Sequence, residues 1–452
     1  VSSGSGPDEA VTSPESRSVE DEAIRSMNCR RDSITKSKGS SGTVGPGPDL
    51  PCQRVDGFII YDRRSFLTPS NTDPDSDRTG SSFRTRRAQL KPSNRSEHTQ
   101  SRIVMSSYRT RNPATGETSF RAELTSDAAV ETALTAVTEG FDAHRAVSIK
   151  EREEGLRQIA DALEDESERW ASLMTEEMGK PITSARSEVE KCAWLCRHVA
   201  EHGRDHLQEE RVETDAERSY VTYQPLGPIL AVMPWNFPFW QVFRFAVPNL
   251  LAGNTALLKH APNVPQCASA IEGLFQSAYG EQAFRNLYVE NDTVAEIIRD
   301  DRVRGVTLTG SVGAGRAVAE EAGGALKKTV LELGGSDPFI VLEDADLEKA
   351  LETGVRSRML NSGQSCIAAK RFIVHESVAE PFRSGLIERI ADLTVGDPTD
   401  PATDVGPLAR RDLRDQLHDQ VVRSRDAGAT LATGGRPVDG PGDFYEPTVL
   451  TD

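Results

Sequence analysis

The 452-residue sequence has no run of about 18 apolar residues, the length a helix needs to cross a bilayer, so no segment reads as membrane-spanning. Cysteine is scarce: six in the whole chain and no Cys-Xaa-Xaa-Cys pair, which excludes a disulfide-stapled scaffold and the commonest zinc motifs. The first residues are Ser, Gly, Pro and acids, with no apolar signal-peptide core. Positive charge is also short, with 53 Lys and Arg against 70 Asp and Glu, a net of −17 and a calculated pI near 5.1. The deficit is uneven. Residues 1–104 hold 16 basic against 14 acidic side chains, so the body carries 37 against 56. An acidic body argues against nucleic acid or an anionic membrane as partner. These absences leave a cytoplasmic enzyme with free thiols, long enough for two or three domains.

Residues 1–104 are rich in Ser, Thr, Arg, Asp, Gly and Pro, and Phe58-Ile59-Ile60 is their one compact apolar cluster. So little apolar surface cannot offset the entropy of ordering the chain. They read as a disordered extension or as sequence outside the native protein, with Met105 resembling an ordinary start. From Ser126, a helix cap, the pattern turns helical with Val130, Leu134 and Val137 on one side. One longer amphipathic helix is expected next, carrying Leu156, Ile159, Leu163, Trp170, Leu173 and Met174 and stopped by Gly179 and Pro181. Then short apolar runs alternate with helical stretches: Ile229–Met233, Thr255–Lys259, Leu287–Val289, Val306–Thr309, Val330–Leu333 and Phe339–Leu342. Buried strands alternating with helices predict an α/β fold with a parallel, doubly wound sheet. Ser219–Gln224 alternates differently and reads as a solvated antiparallel strand, one arm of an oligomer contact.

Four segments carry chemistry. Val306–Gly315 is a strand running into a Gly-rich turn and a helix expected to begin near Gly315, whose N–H groups suit a phosphate; an ordinary tight turn fits the bare pattern as well. Asn361-Ser362-Gly363-Gln364-Ser365-Cys366 places a thiol in a polar loop, where a nucleophile or a small buried apolar residue both fit. Leu331-Glu332-Leu333-Gly334-Gly335 sets a carboxylate in an apolar strand. Burial would make it a general base, and a strand-end Glu reaching solvent is the plainer reading. Pro234-Trp235-Asn236-Phe237-Pro238 follows a strand directly, so Asn236 either offers an amide to an oxyanion or caps the next helix. Cys192, Cys196, His198 and His202 crowd together, but on a helix the thiols and imidazoles point about 120° apart, so no metal site is predicted.

Taken in order, Pro234–Pro238, Lys259, Gly310–Gly315, Glu332–Gly335 and Gly363–Cys366 resemble the aldehyde dehydrogenase superfamily, from about Asn112-Pro113-Ala114-Thr115-Gly116-Glu117 to the last residue. Within it, Lys259–Pro265, Glu332–Pro338 and Cys366–Phe372 are most similar to bacterial succinate-semialdehyde dehydrogenases. The resemblance implies two doubly wound Rossmann-like domains plus a small β oligomerisation element. The expected division is an NAD(P)-binding domain at 105–332, with part of the oligomerisation element near 209–226, and a catalytic domain at 333–452. It implies Cys366 as nucleophile, Glu332 as base and Asn236 as oxyanion donor. Lys259, Trp235, Gly310, Ser311 and Gly315 would hold NADP or NAD, and Pro262 stands where many NAD-preferring relatives carry a Glu. Arg244, in an apolar helical run with Trp240, Val247 and Leu251, is expected to anchor a carboxylate-bearing aldehyde, with an internal ion pair as the alternative. A homodimer or homotetramer is implied. Relatives continue past Tyr445–Leu450 into a Glu-Xaa-Phe-Gly-Pro segment, so the sequence reads as C-terminally truncated, and an inactive remnant is one alternative. A coenzyme A-acylating enzyme is the other; Glu332 speaks against it, because that chemistry needs no water-activating base.

Overall fold

The computed structural model describes residues 107–451, together with the backbone of Ile59–Ile60. Those two residues form a short strand parallel to Arg371–Phe372; the rest of the expectation for 1–104 lies outside the described residues. The first long helix, Asp127–Ala146, starts where Ser126 accepts from the Ala129 N–H, and it buries Val130, Leu134 and Val137. The next helical stretch is two helices rather than one. Ile149–Asp165 opens with a Ser148/Glu151 capping box and ends at Glu166, where Ser167–Met178 begins. The break is bridged by the Trp170 indole, which donates to the Ala162 carbonyl at 3.2 Å. Gly179, at φ 73, ends the second helix in the left-handed conformation that glycine adopts without strain.

Five parallel strands form the larger sheet, in the order Lys328–Leu333, Gly305–Gly310, Pro228–Val232, Thr255–Lys259, Phe284–Asn286. Alternate residues of the inner strands feed two cores. Ile229, Ala231, Ala256 and Leu258 pack with residues of the helices Ile149–Asp165, Ile182–His206, Trp240–Leu251 and Pro265–Tyr279. Leu230, Leu257, Val306 and Leu308 pack with residues of Asp127–Ala146, Asn291–Arg299 and Val312–Gly324. Both faces are therefore covered, which is why these runs read as continuously apolar.

Three strand expectations need correction. The fifth strand is Phe284–Asn286, not Leu287–Val289, because Tyr288 leaves the sheet to exchange hydrogen bonds with Thr125. Lys328–Leu333 is a strand but not a buried one, since it ends the sheet and is paired on one side only. Asp337–Val341 buries Val341 and leaves Ile340 exposed.

A second parallel sheet sets Ala369–Val374 between Ile59–Ile60 and Asp337–Val341, with Phe372, Phe382, Leu386 and Ile390 at its core. The solvated strand reduces to Tyr220–Val221, antiparallel to Glu210–Arg211, with Tyr220 and Val221 exposed.

Candidate active site

In the larger sheet the chain runs outward from Pro228–Val232 through two strands on one side, then returns to lay Gly305–Gly310 on the other. The order reverses between these neighbours, and an open parallel sheet has its crevice at the carboxyl ends of such strands. Trp235 and Asn236 follow one of them, and Gly310 and Ser311 close the other. Lys259 ends the adjacent strand, its carbonyl accepting from the Met233 N–H at 3.0 Å. Glu332 lies one strand beyond, in register with Thr309. All the segments singled out in the sequence up to Glu332 thus meet at one end of one sheet.

Ser311 is itself the cap of the helix Val312–Gly324, accepting from the Ala314 N–H. The helix therefore begins three residues before Gly315, correcting the expected start. Gly315 sits in its first turn, where a Cβ would fall 2.5 Å from Leu333 Cδ2. A larger residue here would have to displace the Leu333 side chain, which neighbours Glu332 on its strand. The Lys259 ammonium is buried and has no hydrogen-bond or ion-pair partner among the described residues, and burial pushes it down to about 8. A buried cation without a protein acceptor is costly unless a ligand supplies one. Together with the free N–H groups of the helix at Ser311, it fits a phosphorylated dinucleotide.

The loop that carries Cys366 is held in an unusual backbone conformation. Asn361 and Ser362, both at φ 55, and Gly363 at φ 76 are left-handed in succession, which costs a non-glycine residue about 1–2 kcal/mol. Hydrogen bonds offset this. Asn361 Nδ2 donates to the Asn236 carbonyl at 2.6 Å, Ser362 Oγ accepts from the Gly406 N–H at 3.0 Å, and Gln364 Oε1 accepts from the Ala409 N–H at 3.0 Å. The Asn236 side chain closes the circuit by donating Nδ2 to the Gln364 carbonyl at 3.0 Å. Asn236 is thus bonded to the loop two residues before Cys366, and it does not cap the following helix. Cys366 is the one partly exposed cysteine among the described residues. The other three are fully buried, and burial pushes the thiols of Cys192, Cys196 and Cys267 up.

Glu332 takes the second of its two readings: its side chain is 49% exposed, a strand-end Glu reaching solvent and not a carboxylate buried in an apolar strand. Arg244 finds it instead: guanidinium Nη2 lies 3.4 Å from Glu332 Oε2, and this is the only ion pair of either residue among the described residues. The internal ion pair weighed as the alternative for Arg244 is therefore present, and its partner is the expected base.

Several positioning residues escaped the sequence reading. Lys370 donates to the Cys366 carbonyl and the Gly335 carbonyl, each at 2.8 Å, tying the Cys366 segment to the end of the segment that carries Glu332. Glu188 Oε1 accepts from the Phe239 and Trp240 N–H groups, both at 2.9 Å, and so caps the helix that carries Arg244. Its other oxygen pairs with the fully buried Lys180, whose ammonium sits 3.9 Å from the centre of the Phe237 ring. His260 is buried and contacts the Pro238 carbonyl through Nε2 at 2.9 Å. The one available signal was a charged residue interrupting apolar helical positions, as Glu188 does; its partner lies 51 residues away. Among the described residues no group of three or more His, Cys, Asp or Glu could hold a metal ion. A cavity of about 780 Å³ lined by Asn112, Thr175, Asp397 and Phe444 lies apart and contains none of the expected site residues.

A family model described as the aldehyde dehydrogenase family matches residues 100–452. A probable succinate-semialdehyde dehydrogenase (NADP+) of Synechocystis is 53% identical over 342 residues, covering 75% of each chain. A succinate semialdehyde dehydrogenase (NAD(P)+) of Escherichia coli is 49% identical over 342 residues, 75% of this chain and 74% of the relative. The crystal structure of succinic semialdehyde dehydrogenase from Streptococcus pyogenes in complex with NADP+ superposes with a TM-score of 0.74 at 38% identity, covering 76% of both chains.

Proposed function

The chain belongs to the aldehyde dehydrogenase family, and on that premise we propose that it oxidises succinate semialdehyde to succinate with NADP or NAD. The observation that carries the substrate reading is Arg244, a partly buried guanidinium beside Glu332. A planar fork of N–H donors suits a carboxylate, and the similar proteins from Synechocystis and Escherichia coli bear the same substrate in their names.

Cys366 thiolate attacks the aldehyde carbon, and the oxygen takes up negative charge. Asn236 Nδ2 and the Cys366 N–H stabilise that oxyanion; the bond from Asn236 to the Gln364 carbonyl already aims the amide at the loop. The nicotinamide, when bound, accepts the hydride. Lys259 would bond its adenosine ribose, and Ser311 and Trp235 would contact its pyrophosphate, with Gly310 and Gly315 bracketing the turn at Ser311. Pro262 leaves no carboxylate to repel a 2′-phosphate, so NADP is accepted at least as well as NAD. The acyl group remains on Cys366 as a thioester, and Glu332 takes a proton from the water that hydrolyses it.

This reading divides the chain into a cofactor unit, 105–332, and a catalytic unit, 333–452. The exposed pair Glu210–Arg211 and Tyr220–Val221 serves a homodimer or homotetramer. Among the described residues no helix is long and apolar enough to cross a membrane, and a cytoplasmic enzyme acting on a small aldehyde is proposed. Arg244→Leu tests the substrate assignment. We expect kcat/KM for succinate semialdehyde to fall by about 2–4 kcal/mol while that for butanal stays nearly constant. An equal fall for both makes Arg244 structural and removes the assignment.

A further inference from the structure

Arg244 and Glu332 each have a job in the proposed cycle, and in this structure they occupy each other. The contact joins one helix, Trp240–Leu251, to the end strand of the sheet, and at 3.4 Å it is an ion pair without a hydrogen bond. Neither group has a second charged partner among the described residues. The side chains are 26% and 49% exposed, so the pair is reachable from solvent and weakly held. A carboxylate lying against a guanidinium is positioned by it and is not free to turn toward a water at Cys366. A substrate carboxylate arriving at Arg244 offers the guanidinium a second acceptor of the same kind as Glu332.

We infer that the Arg244–Glu332 pair is a substrate-operated latch: a carboxylate on the bound aldehyde takes over Arg244 and so frees Glu332 for hydrolysis of the thioester. The inference rests on the proposed roles of Arg244, Cys366 and Glu332 and adds a coupling between them. In the step concerned, the oxygen of water bonds to the acyl carbon and the bond from that carbon to Cys366 Sγ breaks. One water proton passes to Glu332, and the thiolate is restored. No electrons change hands, since the hydride has already left. An uncharged aldehyde is acylated but leaves Glu332 latched. Its penalty therefore falls on kcat, through hydrolysis, and not on kcat/KM, which is set by the steps up to hydride transfer.

An exposed ion pair of this kind biases an equilibrium by about two- to fivefold. The experiment is stopped-flow recording of reduced cofactor with the intact enzyme, using succinate semialdehyde and butanal at saturation. The ratio of steady-state rate to burst rate is expected to be about two- to fivefold lower for butanal, and Arg244→Leu should raise the butanal ratio until the two aldehydes agree. Equal ratios in the unmodified enzyme, or a butanal ratio that Arg244→Leu leaves low, overturn the latch. The first result needs no variant, so it decides the matter even if Arg244→Leu fails to fold. The anchor reading fails separately, through an unchanged kcat/KM for succinate semialdehyde in Arg244→Leu, and it survives if only the ratios disagree.

Discussion

Lys259 ends a fully buried strand with an ammonium that meets no acceptor among the described residues, and burial alone lowers it from 10.5 to about 8. The group is charged below that value and neutral above it. If its charge serves a phosphorylated cofactor, affinity for NADP is full at neutral pH and falls as pH rises through about 8. A charge-assisted hydrogen bond is worth about 1.5–3 kcal/mol, so the dissociation constant for NADP should rise by about tenfold or more across that range. Lys259→Met should start weak and show no such rise, as fluorescence titration of the cofactor would record. A persistent rise in Lys259→Met would assign the titration elsewhere. At this scale Cys366 and Asn236 stand out as candidates because each sits in a short motif beside a strand, whereas Lys259 is singled out only by the family resemblance. Arg244 was legible as an anomaly but its partner was not, because helix periodicity says what surrounds a residue on its own helix and nothing of a strand 88 positions later. For Glu332 the apolar letters around it leave burial and a solvent-facing strand end both open, and only the order of strands, which puts it at an edge, decides between them.

The strand Thr255–Lys259 and the loop Pro234–Pro238 are fastened together by His260. Its Nε2 contacts the Pro238 carbonyl while Nδ1 accepts from the Ala261 N–H at 2.8 Å. Nδ1 as acceptor means Nε2 carries the proton, and the ring is neutral. Burial lowers its pKa from 6.5 to about 4. Because the folded value lies below the unfolded one, the unfolded chain binds a proton first as pH falls. The contribution is present above about 6.5 and is lost between about 6.5 and 4, on the order of 3 kcal/mol at the slope of 1.36 kcal/mol per unit. Burial also lowers His144, which acts in the same sense. The midpoint of thermal unfolding should therefore fall with acidity through this window, and His260→Ala should flatten the fall while lowering the midpoint at neutral pH. An unchanged slope in His260→Ala would show that the folded and unfolded chains protonate His260 alike, against the depressed value that burial gives it. Helix and strand identities were readable wherever periodicity and caps agreed, as at Ser126 and Gly179. The break at Glu166 was not, because both halves keep the same apolar face and no Gly or Pro marks the joint.

Across the whole molecule, the residues of the proposed mechanism come from both sheets and are brought together by contacts between segments far apart in the chain. Asn236 reaches the Cys366 loop across 128 residues, and Lys370 ties Cys366 to Gly335 across 35. The doubly wound order was foreseeable from alternating strands and helices, and the switch point follows once the order is known. The clamps were not foreseeable, since each depends on which carbonyls are left over after the sheets form. One covalent event carries the proposed function: transfer of the acyl group to Cys366, with Glu332 needed to remove it. Glu332→Gln should therefore give a burst of reduced cofactor and then turn over slowly. Acid quenching of that variant with succinate semialdehyde and NADP, followed by peptide mass spectrometry, tests this directly. A succinyl mass is expected on the peptide containing Cys366, accumulated in step with the burst and absent from Cys366→Ala. A burst with no acyl mass on Cys366, or the same mass on another cysteine, would contradict it.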